Sequence, residues 1–230
     1  KNNHNREDVF ATIRSLEPLK DEWEFAHCIA ALGEVHEDGR ARALLGEMPR
    51  RGLRPSVYCF NACIRAVGRA GQWREALKLL DEMERARVAP TNHSFSAALS
   101  ALDKAAEADR ALDLLRKIRA PDGFCYSPVI HALANASPSR AAEALELLEE
   151  ALALRLPARD LTGCFNSALH ALATVGRLAD AERLLKRMRD HHVPPTELSY
   201  GAVINAAGRA LEWQSALRIL REMTEADPPV

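Results

Sequence analysis

An all-α solenoid of stacked helix-turn-helix units is the fold class this sequence predicts, and three observations predict it. Val57–Thr91 carries two amphipathic stretches around Ala70-Gly71-Gln72: Phe60, Ile64 and Val67 share one face of the first, and Ala76, Leu79, Leu80 and Met83 one face of the second. An aromatic residue follows a proline by five places at Pro55/Phe60, Pro90/Phe95, Pro121/Tyr126 and Pro195/Tyr200. A small-then-bulky pair opens each second stretch, as Ala41/Leu44, Ala76/Leu79, Ala111/Leu114, Ala144/Leu147, Ala181/Leu184 and Ala216/Ile219. A repeat of this period signals helical hairpins that bury surface against their neighbours.

Taken in order, the anchors divide 1–230 into a single repeat array. A partial unit, 6–21, supplies a second helix only, with Val9, Phe10 and Ile13 as its stripe. Repeats follow at 22–56, 57–91, 92–122, 123–161, 162–196 and 197–230; 22–56, 57–91 and 162–196 are each 35 residues long. The unit 92–122 is short after its second helix, and 123–161 has gained residues around Ser137-Pro138 and Arg159-Asp160. First helices are expected near 23–33, 58–70, 93–103, 125–136, 163–175 and 198–209, and second helices near 40–50, 73–86, 108–118, 140–154, 178–190 and 213–225. Gly71 suits the left-handed residue that often closes a helix, and Pro128 is expected in a first turn, where its missing N–H is tolerated. The array begins in mid-unit and ends on the apolar stripe Ile219, Leu220 and Met223, so more chain or a partner is expected to cover at least one end.

Composition narrows the chemistry. The formal charge is −1 and only 5% of residues are aromatic, which argues against a protein living by nonspecific phosphate binding. The five cysteines, Cys28, Cys59, Cys63, Cys125 and Cys164, all fall in first helices and read as small buried residues of a reducing compartment. None stands with histidine at ligand spacing, so no metal and no cofactor is expected. No run reaches the ~18 apolar residues of a membrane span, and no secretory signal is visible. The chain starts at Lys1, as a processed or partial chain would. Charges gather on second helices, and Arg183, Lys186, Arg187 and Arg189, with His191 and His192 behind them, form the best candidate for an outer electrostatic contact. His131 and His170 hold equivalent places and are expected to stack. No catalytic constellation, phosphate-cradling loop or acidic metal cluster is present, so the chain is read as a non-enzyme.

Aromatic–Asn near the start of the first helix (Phe60-Asn61, Phe165-Asn166), Gly before the second (Gly71, Gly176), the second-helix segments Glu75–Met83, Ala181–Met188 and Ser215–Met223, and the closing prolines together resemble the pentatricopeptide repeat family over nearly all of 22–230. The tetratricopeptide family has a 34-residue period and Trp and Tyr marks instead. The resemblance implies recognition of single-stranded RNA, one base per repeat. It makes the residue after the helix-one aromatic and the last residue of the repeat the readers: Ala26 with Ser56, Asn61 with Thr91, Ser96 with Asp122, Ser127 with Leu161, and Asn166 with Thr196, while Gly201 has no clear mate. It places Trp23, Tyr58, His93, Phe124, Gly163 and Leu198 against the bases. Ser96/Asp122 resembles a guanine-reading pair, and Asn leans toward pyrimidines. Arg65, Arg69 and Lys104 are the cations expected near phosphates. The first-helix stretches nevertheless balance four basic residues (Arg65, Arg69, Lys104, Arg209) against five acidic ones (Glu22, Glu24, Glu34, Asp103, Glu197), so a shallow salt dependence is expected. By resemblance the chain is an RNA-binding or RNA-associated adaptor of mitochondrion or chloroplast. The competing expectation is a scaffold subunit making protein contacts in a larger organellar assembly such as a ribosome. It draws on the neutral face, the degenerate reading pairs and the uncovered ends.

Overall fold

The computed structural model describes residues 7–13, 19–136 and 140–225, and those residues form helices and turns with no strand among them. The inserted Ser137-Pro138 lies outside the described residues. The helices are α1 (7–13), α2 (Glu22–Glu34), α3 (Asp38–Glu47), α4 (Val57–Arg69), α5 (Trp73–Arg85), α6 (Asn92–Lys104), α7 (Ala108–Lys117), α8 (Gly123–Ala136), α9 (Ala141–Ala153), α10 (Ala158–Thr174), α11 (Leu178–Asp190), α12 (Glu197–Arg209) and α13 (Trp213–Glu225). A 3₁₀ turn, Pro49–Arg51, follows α3. The chain divides into two compact units, Lys1–Ala105 and Ala106–Val230.

In the first unit α2 packs on α4 and α4 on α6, so the first helices make one layer; α3 and α5 lie behind them, each touching its own and the following first helix. The second unit repeats this with α8, α10 and α12 in front and α7, α9 and α11 behind. The stripes expected from the sequence are the core. Ile64, Leu79, Met83, Leu99 and Leu102 in the first unit, and Ile130, Leu133, Leu148, Phe165 and Met188 in the second, are buried. Each removes its apolar side chain from water, the main stabilising term of such stacks. The back layer is also stitched by ions between repeats. Arg42 donates to Glu75 at 3.0 Å and to Glu82 at 2.5 Å, and in the second unit Arg116 pairs with Glu150 and Arg187 with Glu149, both at 2.6 Å.

Chain reversal uses left-handed residues at a fixed place. His36, Gly71, Ala106, Gly176 and Leu211 each follow a first helix with φ between 56° and 74°. At Gly71 the N–H bonds Gly68 C=O and the next N–H bonds Val67 C=O, satisfying carbonyls the helix end leaves open.

Four expectations are corrected. α10 begins at Ala158 rather than near 163: the extra residues at Arg159-Asp160 are helical, adding a turn after Pro157. Leu161 is therefore a buried residue within a helix and not the closing loop residue of its repeat. This turn fits because α8 starts with Gly123, where a Cβ would stand 1.9 Å from the Asp160 carbonyl oxygen. Pro128 lies inside α8, beyond its first turn, so the Phe124 carbonyl lacks its usual i+4 donor. The basic run on α11 is not an open positive patch: Arg187 holds Glu149, Arg183 and Arg177 hold Asp180, and Arg189 holds Glu222 and the Tyr200 hydroxyl.

The second-layer stripe of α13 differs from that of α5 at matching places. Trp73 is 8% exposed, whereas Trp213 is 66% exposed, with Leu217 and Leu220 exposed beside it. In the first unit α6 packs against α5; on α13 the same type of stripe faces outward.

Candidate nucleic-acid interface

In α2, α4, α6, α8 and α12 the second residue, two before the aromatic on the packed face, points away from the core; in α10, which starts earlier, the matching residue is the sixth. Trp23, Tyr58, Phe124 and Leu198 sit at this place and are among the exposed large apolar side chains; Tyr58 is 79% exposed. His93 is exposed too, while at the same place in α10 Gly163 lies under Ser127. Large exposed apolar groups repeated at one structural position are unusual on a monomer's surface and mark a contact surface.

In the first unit these side chains border a groove of about 1000 Å³ lined by Trp23, His27, Tyr58, Asn61, Arg65, Thr91 and His93, among others. The Trp23 and His27 rings lie 3.7 Å apart between centroids, and His27 Nδ1 is 2.8 Å from the Trp23 carbonyl oxygen. Asn61, expected as a reader, lines this groove. It is 9% exposed, and its Oδ1 has no hydrogen-bond partner. A buried carbonyl oxygen left without a donor costs about 1–3 kcal/mol relative to a satisfied one. Its expected mate Thr91 caps α6: the Thr91 N–H donates to Ser94 Oγ at 3.1 Å. Arg65 is exposed at the groove. Arg69, expected near phosphate, is instead tied back to Glu34 at 2.7 Å and to the Gly33 carbonyl, holding the end of α2. Lys104 is exposed and borders, with Arg65, Arg69 and Ser96, a smaller groove of the same unit. Ser96 Oγ donates to the His93 carbonyl at 3.2 Å.

In the second unit a groove of about 740 Å³ contains Ser127, His131, Asn166, His170, Leu198 and Gly201. Here the same residue pair, Asn166 and Thr196, is closed. Asn166 Nδ2 donates to Thr196 Oγ1 at 3.2 Å, and Ser199 Oγ donates to Asn166 Oδ1 at 2.6 Å. Thr196 Oγ1 lies 3.2 Å from Ser199 Oγ. Since the Ser199 proton is used on Asn166, Thr196 is the donor in that third contact, and the three groups form a ring. Ser127 Oγ is 3.3 Å from Ser167 Oγ and covers Gly163, where a Cβ would meet it at 2.8 Å. Asp122 is the cap of α8, accepting the Cys125 N–H at 3.1 Å. His131 and His170 stack as expected, with ring centroids 5.2 Å apart, and Asn135 bonds to both. Ser96 belongs to the first unit and Asp122 to the second.

The cysteines are buried and unpaired by disulfide. Burial pushes the Cys63, Cys125 and Cys164 thiols up to about 12, which keeps them neutral and unreactive. Among the described residues no cluster of three metal-ligating side chains occurs and no helix is long and apolar enough to cross a membrane. Sequence reasoning missed Ser199 and Asn135. The first had a local signal, the Thr-x-x-Ser spacing of a helix start at Thr91/Ser94 and Thr196/Ser199; the second had none.

Comparison with known proteins matches this architecture. A PPR repeat family model covers residues 55–104, a pentatricopeptide repeat domain model residues 162–210, and a PPR repeat model residues 198–227, together half of the chain. The fold is similar to that of the pentatricopeptide repeat protein PPR10 from maize, with TM-score 0.68 and 24% identity over 97% of this chain and 33% of that one. It is also similar to PPR10 in complex with an 18-nt psaJ RNA element, with TM-score 0.64 and 24% identity over 96% of this chain and 32% of that one. The PPR domain of Arabidopsis thaliana protein-only RNase P 1, in complex with tRNA, matches with TM-score 0.62 and 15% identity over 84% of this chain and 98% of that domain. The chain thus spans about a third of the length of PPR10. No curated protein sequence matches it. On its repeats, its helical-hairpin layers and these matches, the chain belongs to the pentatricopeptide repeat family.

Proposed function

We propose that this chain is a non-catalytic RNA-binding adaptor that takes single-stranded RNA along its first helices, in organellar RNA metabolism or translation. The observation that carries this is the groove of the first unit, walled by the exposed Trp23, Tyr58 and His93, lined by Asn61 and edged by Arg65. Aromatic faces stack on any base, a polar group between them reads its edge, and an arginine at the rim meets phosphate. Tyr58, Asn61, Thr91 and Arg65 are the contacts of the first unit, with Ser96 and Lys104 beyond them; Asp122, Phe124, Ser127, Asn166 and Thr196 are those of the second. The solved complexes of similar folds, PPR10 with an RNA element and the RNase P 1 domain with tRNA, support the reading.

The test is fluorescence anisotropy of the chain with a random single-stranded RNA pool across a salt series. Binding at physiological salt with a shallow slope is expected, because each neutralised phosphate adds only about −0.7 to the slope. Tyr58→Ala should weaken it roughly tenfold, within the ~1–3 kcal/mol of one base–aromatic stack, with helicity unchanged. Absence of binding, or Tyr58→Ala binding as wild type does, would remove this reading. A scaffold in a larger assembly is the second reading: the exposed Trp23, Tyr58 and Phe124 would suit a protein partner as well as a base.

A further inference from the structure

We infer that His131 and His170 form a phosphate-binding site of the second unit that works only when the pair carries a proton, so that this unit holds an RNA backbone more tightly as pH falls. The inference rests on the RNA reading above and deepens it by naming a backbone contact in the second unit.

The place four residues after the expected reader carries the comparison. It holds Arg65 in α4, after Asn61, and histidine in α8 and α10: His131 after Ser127 and His170 after Asn166. Arg65 is exposed at the first unit's groove and is charged at any working pH. The groove of the second unit has neither lysine nor arginine among its lining residues; its ionisable groups are the two histidines and the exposed Glu197. With both rings neutral, that wall offers a phosphate only the negative charge of Glu197. One proton on the pair supplies the missing cation.

The geometry limits the pair to one proton. The half-buried rings stack at 5.2 Å between centroids with planes 24° apart, a separation at which two positive rings repel. Asn135, one turn beyond His131, bridges them. Its Oδ1 accepts from His170 Nε2 at 3.0 Å, and its Nδ2 donates to His131 Nδ1 at 3.2 Å. A carboxamide has one accepting and one donating side, so it suits one protonated ring and one neutral ring. The other charged groups around α8 and α10 are accounted for. On α10 itself Arg159 pairs with Asp160, and on α12 Arg209 donates to the Thr174 carbonyl at 3.1 Å. Asp122 caps α8. None of the charged groups of α7, α9 and α11, which pack from behind, lines the groove; there Arg116 holds Glu150, Arg140 holds Asp109 and Glu143, and Arg187 holds Glu149. His191, past α11, lies against the buried Phe165 ring. An ordinary imidazole titrates near ~6.5. The protonated pair attracts phosphate and bound phosphate holds the proton, so affinity is highest below that range and falls as pH rises through it.

The test is fluorescence anisotropy of the full chain with the random single-stranded RNA pool from about pH 5.5 to 7.5, each point across a salt series, with circular dichroism reporting the fold. Kd is expected to be roughly fivefold lower at the acid end, as one charge-assisted contact partly screened by solvent would give. The slope of log K against log salt should steepen there by about 0.7, one phosphate more. His131→Asn combined with His170→Asn should abolish both differences. His27→Asn combined with His93→Asn, in the first unit's groove, should bind more weakly yet keep them. A folded His131/His170 variant with an unchanged pH response would overturn the inference, as would loss of that response in the His27/His93 variant. Independently of RNA, and of whether any variant folds, NMR of the histidine rings of the unmodified chain should show His131 and His170 sharing one proton across this range. Inorganic phosphate added at the acid end should move their signals more than those of His27 and His93. Two full and independent titrations, or rings unmoved by phosphate, would overturn the site. A chain that binds RNA at no pH removes the RNA reading itself, while the ring titration still decides the phosphate site.

Discussion

The first unit carries Asn61 and Thr91 around an unfilled acceptor, and the second carries Asn166 and Thr196 in a closed ring with Ser199. Each asparagine stands two residues after a buried cysteine, Cys59 or Cys164, and the second helix of its repeat buries a methionine, Met83 or Met188. Yet the Asn166 amide is tied to the following repeat and the Asn61 Oδ1 is not. A repeat's identity at two positions therefore does not fix which hydrogen bonds its amide makes: the serine after the cap is buried in both repeats, and only Ser199 reaches the asparagine. The comparison also separates two tasks of a polar group in a solenoid. Asn166 helps to join α10 to α12, whereas the Asn61 Oδ1 makes no such bond and carries the cost of an unsatisfied buried acceptor.

If the contrast is local to these amides, the packing beneath both should respond alike, and alkaline pH tests that with the largest effect. The Cys63 thiol of the first unit and the Cys125 and Cys164 thiols of the second are pushed up to about 12, chiefly by burial; Asp122 adds to it for the latter two. A folded value above the unfolded one means that their contribution is fully present below the unfolded thiol range, near 9, and is lost as pH rises toward 12. Unfolding free energy should fall by about 1.4 kcal/mol per pH unit for each such thiol across that window. Denaturant melts from pH 8 to 11 would record it, and native-state alkylation at pH 8 should be negligible at all three. Rapid labelling of Cys63 alone would show that the first unit is looser, and that the open amide reflects poor packing.

The next contrast separates the amides themselves. Asn166→Leu removes the nearest acceptor of a fully buried hydroxyl, which keeps Thr196 Oγ1 and Met188 Sδ within reach, and should cost about 1 kcal/mol, the net worth of one hydrogen bond. Asn61→Leu removes an oxygen that already lacks a partner and should leave stability unchanged within about 0.5 kcal/mol, or raise it. Urea midpoints of the two variants would then move by different amounts and toward different signs. Equal losses would mean that Asn61 is also held by the fold.

What the sequence shows of this, and what it hides, follows from the range of the forces. Stripes such as Ile64/Val67 or Leu184/Met188 are legible because helical geometry ties spacing to face within a few residues. The outward position of Trp23, Tyr58 and Phe124 agrees with that geometry, but the family resemblance, not the spacing, points to them. Gly71 and Gly176 announce their turns, since glycine tolerates positive φ, but His36, Ala106 and Leu211 take the same conformation without any such mark. The extra turn of α10 depends on the close approach of Asp160 to Gly123, 37 residues earlier in the chain, and no local pattern encodes it. The Asn166 ring is hidden at the same level. Thr91-x-x-Ser94 and Thr196-x-x-Ser199 read alike, and only the spacing of two helices in three dimensions decides whether the serine reaches the asparagine.

The smallest expected effect concerns the turns that lead out of the first helices. Gly176 closes α10, the helix that carries Asn166, at φ 68°, while Leu211 closes α12 at φ 61° with an exposed side chain. A non-glycine residue in this region bears about 1–2 kcal/mol of steric cost, partly offset because glycine loses more freedom on folding. Leu211→Gly should therefore raise stability by about 0.5 kcal/mol, and Gly176→Ala should lower it by about 1 kcal/mol. Thermal melts of the two variants, with the Asn166 amide exchange followed in each, sharpen the comparison. If Gly176→Ala lowers the melting temperature but leaves Asn166 protected, the ring is held by Ser199 and Thr196 themselves. If protection is lost together with the turn, the orientation of the amide comes from the setting of α10, and the difference between the two asparagines lies in the turn rather than in the serine.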